Sequence, residues 1–231
     1  MQRRVFSVVM ASAVCSPGMG LGAARAAAGL SELDAAAGIR EALVRGADSA
    51  VGLLGRKDGF MGNPRVRIPL PGFLKDVAKL LKATGQGASV DELVTAMNRA
   101  AEAAVPEAKS LLLSAVKNMS VEDGRQILSG GDRSVSDFFA KKTREPLGAK
   151  FLPIVTRATQ KVSLADKYNA VAGQAADLGL LDKKDADIQK YVTGKALDGL
   201  YLMIGEEERK IRKDPVGTGS AILKNVFGSL K

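Results

Sequence analysis

Apolar residues recur every three to four positions over most of the chain, which is the helical period. Between Leu30 and Gly55, Leu33, Ala37, Leu43, Ala47, Val51 and Leu54 keep to one stripe behind an N-cap candidate at Ser31. Phe73, Val77, Leu80 and Leu81 form a second stripe opposite Lys75, Lys79 and Lys82, and Gly85 stops that helix. Ser89-Val90-Asp91-Glu92 has capping-box spacing and opens a third helix through Leu93, Met97, Ala100 and Ala104, which Pro106 ends or restarts. Further helix starts are expected at Ser120, Ser134, Pro146, Ser163 and Thr193, and the segment from Ser220 through Phe227 closes the chain.

One stretch breaks the period. Arg56 to Gly72 holds Pro64, Pro69 and Pro71 together with Gly59, Gly62 and Gly72, too many breakers for a helix. Inside it Val66, Ile68 and Leu70 alternate with Arg67 and Pro69, so the piece is extended with its apolar residues on one side, and a minimal strand is expected near 66–70. The predicted architecture is all-α: a compact bundle of short helices with one Pro/Gly-rich extended loop. No repeat or linker divides it.

Composition narrows the chemistry. Among 231 residues there is no His, no Trp and a single Cys, which excludes His-based nucleophile systems, His metal sites and His pH switches. Neither a metal nor a cofactor is expected. Only carboxylates, Lys, Tyr and Ser remain for catalysis.

The first residues read as an export signal. Arg3 and Arg4 precede an apolar run from Val5 to Val14, and Ala24-Arg25-Ala26 offers small residues around a cleavage position, so residues 1–26 are expected to be removed and 27–231 to form one helical domain. Arg3-Arg4-Val5-Phe6 also resembles the twin-arginine pattern, with Gln2 where that pattern usually has Ser or Thr. Cys15 lacks the flanking residues of a lipidation site. Loss of the three leader arginines lowers the formal charge from +9 to +6, and the mature chain keeps no Cys. The expected location is the periplasm, without a membrane span, and the expected partners of this basic surface are anionic lipid, acidic glycan or an envelope protein rather than nucleic acid.

Four stretches stand out as a set: Asp58-Gly59-Phe60-Met61-Gly62-Asn63 leading to Arg67-Ile68-Pro69-Leu70-Pro71; Met97-Asn98-Arg99-Ala100-Ala101-Glu102; Asp198-Gly199-Leu200-Tyr201; and Glu206 through Pro215. In this order they resemble the bacterial domain-of-unknown-function family 4197, over about Leu30 to Phe227. The resemblance implies an exported, mostly helical protein and carries no activity, cofactor or catalytic residue with it.

The residues themselves nominate three places. Glu208 projects from the middle of an apolar face made by Leu197, Leu200, Tyr201, Ile204 and Ile211, so its carboxylate must be paired, hydrogen-bonded or protonated. Arg212 one turn later is its local partner and Arg99 a distant one. Asn98, Arg99 and Glu102 lie opposite Leu93, Met97 and Ala104: an ordinary solvated face with an Arg–Glu pair, or, in a functional version, one polar cluster with Glu208 and Arg212. The loop presents Arg56, Lys57, Arg65 and Arg67 beside Phe60 and Met61, a mixture suited to an anionic amphiphile or a partner protein; the competing reading is a strap whose Phe60, Val66, Ile68 and Leu70 seal helix ends.

Binding is therefore the leading function. The alternatives are a carboxylate-based enzyme using Glu208 with Glu102 or Glu207, and a purely structural or interaction protein. Ser114-Ala115-Val116-Lys117 and Gly217-Thr218-Gly219-Ser220 match short catalytic and phosphate-binding spacings but lack the companion residues of either.

Overall fold

The structure, a computed structural model, describes residues 32–85, 87–131, 133–177, 179, 186–214, 217, 220 and 221. The leader, Ser31 and the segment 222–227 lie outside the described residues. Among the described residues eight α-helices follow one another: α1 (Glu32–Leu54), α2 (Gly72–Ala83), α3 (Gly87–Ala104), α4 (Lys109–Lys117), α5 (Val121–Ser129), α6 (Ser134–Thr159), α7 (Ser163–Asp177) and α8 (Ile188–Lys213), with a 3₁₀ turn over Val105–Ala108 between α3 and α4. The all-α bundle expected from the periodicity is what forms.

The centre is α8, packed mainly against α1 and α6, while α3 lies on α6 and α8. Its Val192, Ala196, Leu197, Leu200, Tyr201, Met203 and Ile204 are all buried. Around it close Phe139, Leu147, Phe151 and Val155 of α6, Ile39, Leu43 and Leu54 of α1, and Leu93, Met97, Ala100, Ala101 and Ala104 of α3. Small residues set the spacing. A Cβ on Gly205 would come within 2.6 Å of Ser136 Oγ, so α6 and α8 touch at a place where only glycine leaves room.

Three helices differ from expectation. The Ser89 capping box does not open α3, which begins at Gly87 and holds Ser89 inside its first turn. Pro146 does not start a helix; it lies with Pro153 inside the 26-residue α6. Each proline removes one backbone donor and costs about 3 kcal/mol in an isolated helix. Burial of Phe138, Phe139, Leu147, Phe151 and Val155 offsets this, since each large apolar side chain contributes roughly 1.5–3 kcal/mol. Similarly, α8 begins at Ile188 rather than Thr193, because the Asp187 side chain accepts from the Lys190 amide and caps it. Ser120 does cap α5: its hydroxyl accepts from the Asp123 amide, and the Asp123 carboxylate accepts from the Ser120 amide, both at 3.0 Å. Burial pushes the Asp123 carboxyl up, but the Ser120 amide and hydroxyl and the Lys142 ammonium outweigh it and hold it below the usual range.

No strand forms among the described residues, so the minimal β piece expected near 66–70 is corrected to an extended strap without a strand partner. Its alternation is nevertheless real: Val66 and Ile68 are buried, Arg67 and Pro69 exposed.

Candidate functional site

The strap is held by the polar face of α3. Asn98 Oδ1 accepts from the Ile68 amide at 2.8 Å, and Asn98 Nδ2 donates to the Ile68 carbonyl at 3.0 Å and to Val94 O at 2.8 Å. One carboxamide thus does what a neighbouring strand would do. One turn on, Glu102 Oε1 accepts from the amides of Phe60 and Met61, each at 3.0 Å, and its Oε2 accepts from Arg99 Nη1 at 2.6 Å. Arg99 Nη2 reaches across to Asp58 at 2.7 Å. Its bonds to Glu102 and Asp58 hold the guanidinium still more firmly protonated than an ordinary arginine.

Asn98 and Glu102 are buried, so this is not a solvated helix face, and the bonds of Arg99 and Glu102 run to each other and to the strap rather than to Glu208. Both expectations are corrected by the same fact: the loop folds down onto α3 and uses the polar side chains to satisfy its own backbone. Asp58, at φ 65°, makes the turn that lets this happen. On the far side, Gly199 of α8 receives the strap; a Cβ there would lie 2.9 Å from the Phe60 ring and 3.2 Å from Val66 Cβ. The Tyr191 hydroxyl donates to Pro69 O at 3.0 Å and closes the end.

The three consecutive glutamates of α8 each have a separate partner. Glu208 is buried, as its apolar stripe predicts, and accepts from Arg212 Nε at 3.0 Å and Nη2 at 2.7 Å. Arg99, its distant candidate, is engaged by Asp58 and Glu102 instead. Glu207 accepts from the Ser49 hydroxyl at 2.9 Å and from Lys210 at 2.5 Å. Glu206, also buried, pairs with Arg65 of the strap. None of Glu102, Glu207 and Glu208 lines the grooves described next.

Of the loop residues expected to meet a ligand, Phe60 is fully buried and serves the core, which is the strap reading. Met61 is half-buried, and Arg56, Lys57 and Arg67 are exposed. The strap's outer edge, α2 and α3 enclose a groove of about 720 Å³. Its floor is Leu70, Ala78, Val90 and Val94; its rim is Arg67, Lys75, Lys79 and Lys82. The lysines stand at i, i+4 and i+7 on one face of α2, with Ala78 between them. Lys82 pairs with Asp91 at 3.2 Å, whereas Arg67 and Lys75 meet no carboxylate among the described residues.

Sequence reasoning placed these lysines on a solvent face and missed the groove. The available signal was the small Ala78 within the lysine stripe, which leaves room for Val90 and Val94 to be reached from above. A second, polar cleft of about 460 Å³ lies between α6 and α8, with Arg133, Arg144 and Arg209 on its walls. There Arg144 pairs with Asp198 at 2.5 Å and stacks 5.4 Å from the Tyr201 ring. The Tyr201 hydroxyl sits 3.0 Å from Thr143 Oγ1, which itself donates to Phe139 O at 2.7 Å, so the phenol is the donor. Burial pushes the Tyr201 phenol up.

A family model described as Protein of unknown function (DUF4197) matches residues 29–228. The chain belongs to that family. No curated protein and no solved structure matches it. Three of the four stretches that carry the resemblance are the ones that build the strap and its seat: the strap itself, the Asn98–Glu102 face of α3, and the Asp198–Tyr201 turn of α8. The fourth supplies Glu206, which pairs with strap residue Arg65. No helix among the described residues is long and apolar enough to cross a membrane, and no His/Cys/Asp/Glu group there is arranged to hold a metal ion.

Proposed function

We propose that this family member is a binding protein for an anionic amphiphile, with the hydrocarbon tail on the floor of the α2/α3 groove and the charged head at its rim. The observation that carries the reading is the groove's composition: an apolar floor of Leu70, Ala78, Val90 and Val94 under a rim of four cations, one of them from the strap, against a single carboxylate, Asp91. Its volume falls within the roughly 300–1,000 Å³ of ordinary small-molecule sites. An apolar floor alone would take any greasy ligand; the cations select the sign of the head group and raise its local concentration. Location in the periplasm, after removal of residues 1–26, suits this reading, since envelope lipids and their fragments are the matching chemistry. Arg65 contributes less than Arg67, being already paired with Glu206.

Titration calorimetry below the micelle concentration tests it. Dodecyl phosphate should bind at least tenfold more tightly than uncharged dodecyl maltoside, a difference of about 1.4 kcal/mol. Lys75→Gln with Arg67→Gln should remove most of that preference, and Val94→Trp should block both ligands by filling the floor. Equal affinity for the charged and uncharged detergents would sink the proposal.

A further inference from the structure

One wall of the α2/α3 groove is the strap itself, through Pro64, Arg67, Pro69 and Leu70. Packing does little to hold the middle of that wall. A smaller cavity of about 240 Å³, against Lys195, Gly199 and Leu202 of α8, is also lined by Arg67 and Pro69, so these two residues border open space twice. Between them Ile68 turns inward and is buried in the core. Such an apolar anchor is non-directional and leaves the backbone free to rock about it. Direction has to come from hydrogen bonds.

Asn98 provides them. Its carboxamide takes the Ile68 amide at 2.8 Å and the Ile68 carbonyl at 3.0 Å, and its third bond, at 2.8 Å, goes to the carbonyl of Val94 in the groove floor. One buried side chain therefore ties the wall to the floor from beneath, without itself lining the groove. The Tyr191 hydroxyl adds a second tie, to Pro69 O at 3.0 Å. The bonds that the Val66 and Arg67 amides make to Asn63 O are internal to the strap and move with it. The pair of Arg65 with Glu206 anchors the strap on the N-terminal side of Arg67.

We infer that Asn98 is a positioning residue for the groove: by fixing the peptide groups of Ile68 it sets where Arg67 of the rim and Leu70 of the floor stand relative to Val94 and the α2 lysines. The inference rests on the groove reading above and names the group that makes that site competent. Binding and strap closure are then linked. An unfastened strap lowers the fraction of molecules with a complete groove, and the apparent affinity falls by that fraction.

Dodecyl phosphate, titrated below its micelle concentration, is the probe. Asn98→Leu should bind it at least about fivefold more weakly than the parent, at a temperature where circular dichroism shows the variant folded. Ile127→Ala, in the buried face of α5, is the control: it loses stability as a core truncation does and should keep the parent Kd. Arg67→Gln should weaken binding about two- to fivefold in the parent and hardly at all in the Asn98→Leu background, where the strap cation is no longer placed. If Asn98→Leu does not fold, Tyr191→Phe takes its place and should weaken binding at least about twofold. An unchanged Kd in the folded variant overturns the inference and leaves the groove standing. So does an Arg67→Gln penalty of equal size in both backgrounds, or an equal weakening by Ile127→Ala, which would mean that affinity merely follows stability. Failure of the groove reading shows separately, as equal binding of dodecyl phosphate and dodecyl maltoside by the parent.

Discussion

Asn98 pairs with both backbone groups of Ile68, at 2.8 and 3.0 Å, across 30 residues of sequence. A buried side-chain amide standing in for a strand is a single point of failure. Replacement by Leu, close in volume, would leave a buried N–H and C=O without partners, at about 1–3 kcal/mol each. The expected loss in urea unfolding is about 2–4 kcal/mol with an unchanged m-value. A loss under about 0.5 kcal/mol would mean that the strap is not held this way.

Glu102 carries the other end of the strap. In Glu102→Ala the amides of Phe60 and Met61 lose their acceptor, and Arg99 keeps only Asp58. Local opening should then become easier than global unfolding. Trypsin reports it directly, since Arg56 and Lys57 lie exposed at the strap's start. Cleavage there should accelerate at least tenfold, corresponding to about 1.4 kcal/mol of lost protection. Glu102→Gln, which keeps one carbonyl oxygen for the two amides, should fall between. Identical digestion rates for all three proteins would refute the role given to this carboxylate.

Two glycines of α8 should respond with opposite signs. Gly194 has nothing within 4 Å of the place where a Cβ would stand, so Gly194→Ala should stabilise the fold by up to about 1 kcal/mol through helix propensity. Gly199→Ala gains the same propensity but drives a methyl into Phe60 and Val66. Overpacking costs about 1–3 kcal/mol, so the net effect should be destabilising and should also speed cleavage in the strap. Melting temperatures that rise in both variants would show that the strap does not bear on α8.

Tyr201 titrates late because burial opposes its phenolate, which outweighs the opposing pull of the Thr143 hydrogen bond and of the Arg144 guanidinium. With a folded pKa above the unfolded value near 10, the folded state holds its proton over a window in which the unfolded chain has lost it. That contribution to stability is complete below about pH 10 and disappears as pH rises through the folded pKa. Tyr201→Phe should cost about 0.5–1.5 kcal/mol at neutral pH. It should also flatten the stability loss above about pH 10 and remove one phenolate absorbance step with a midpoint above the free value. Loss of a step centred on the free value near 10 would contradict the assignment.

Much of this protein was legible in the sequence because helices are written locally. A period of 3.6, a capping Ser120 and a stop at Gly85 are each fixed by hydrogen bonds spanning three or four residues. The same holds for the strap, whose prolines and glycines forbid a helix, and for the burial of Glu208, which follows from its place in an apolar stripe. Partner choice was not legible. Arg99 had Glu102 within reach on its own helix, but whether its other side met Glu208 or Asp58 depended on how the strap and α8 approach α3. Nothing within one helical turn records that. The continuation of α6 through Pro146 and Pro153 is likewise a tertiary outcome, in which core burial outweighs a local penalty. So is the groove: three lysines at helical spacing describe a solvated face until Val90 and Val94 of another helix are set beneath them.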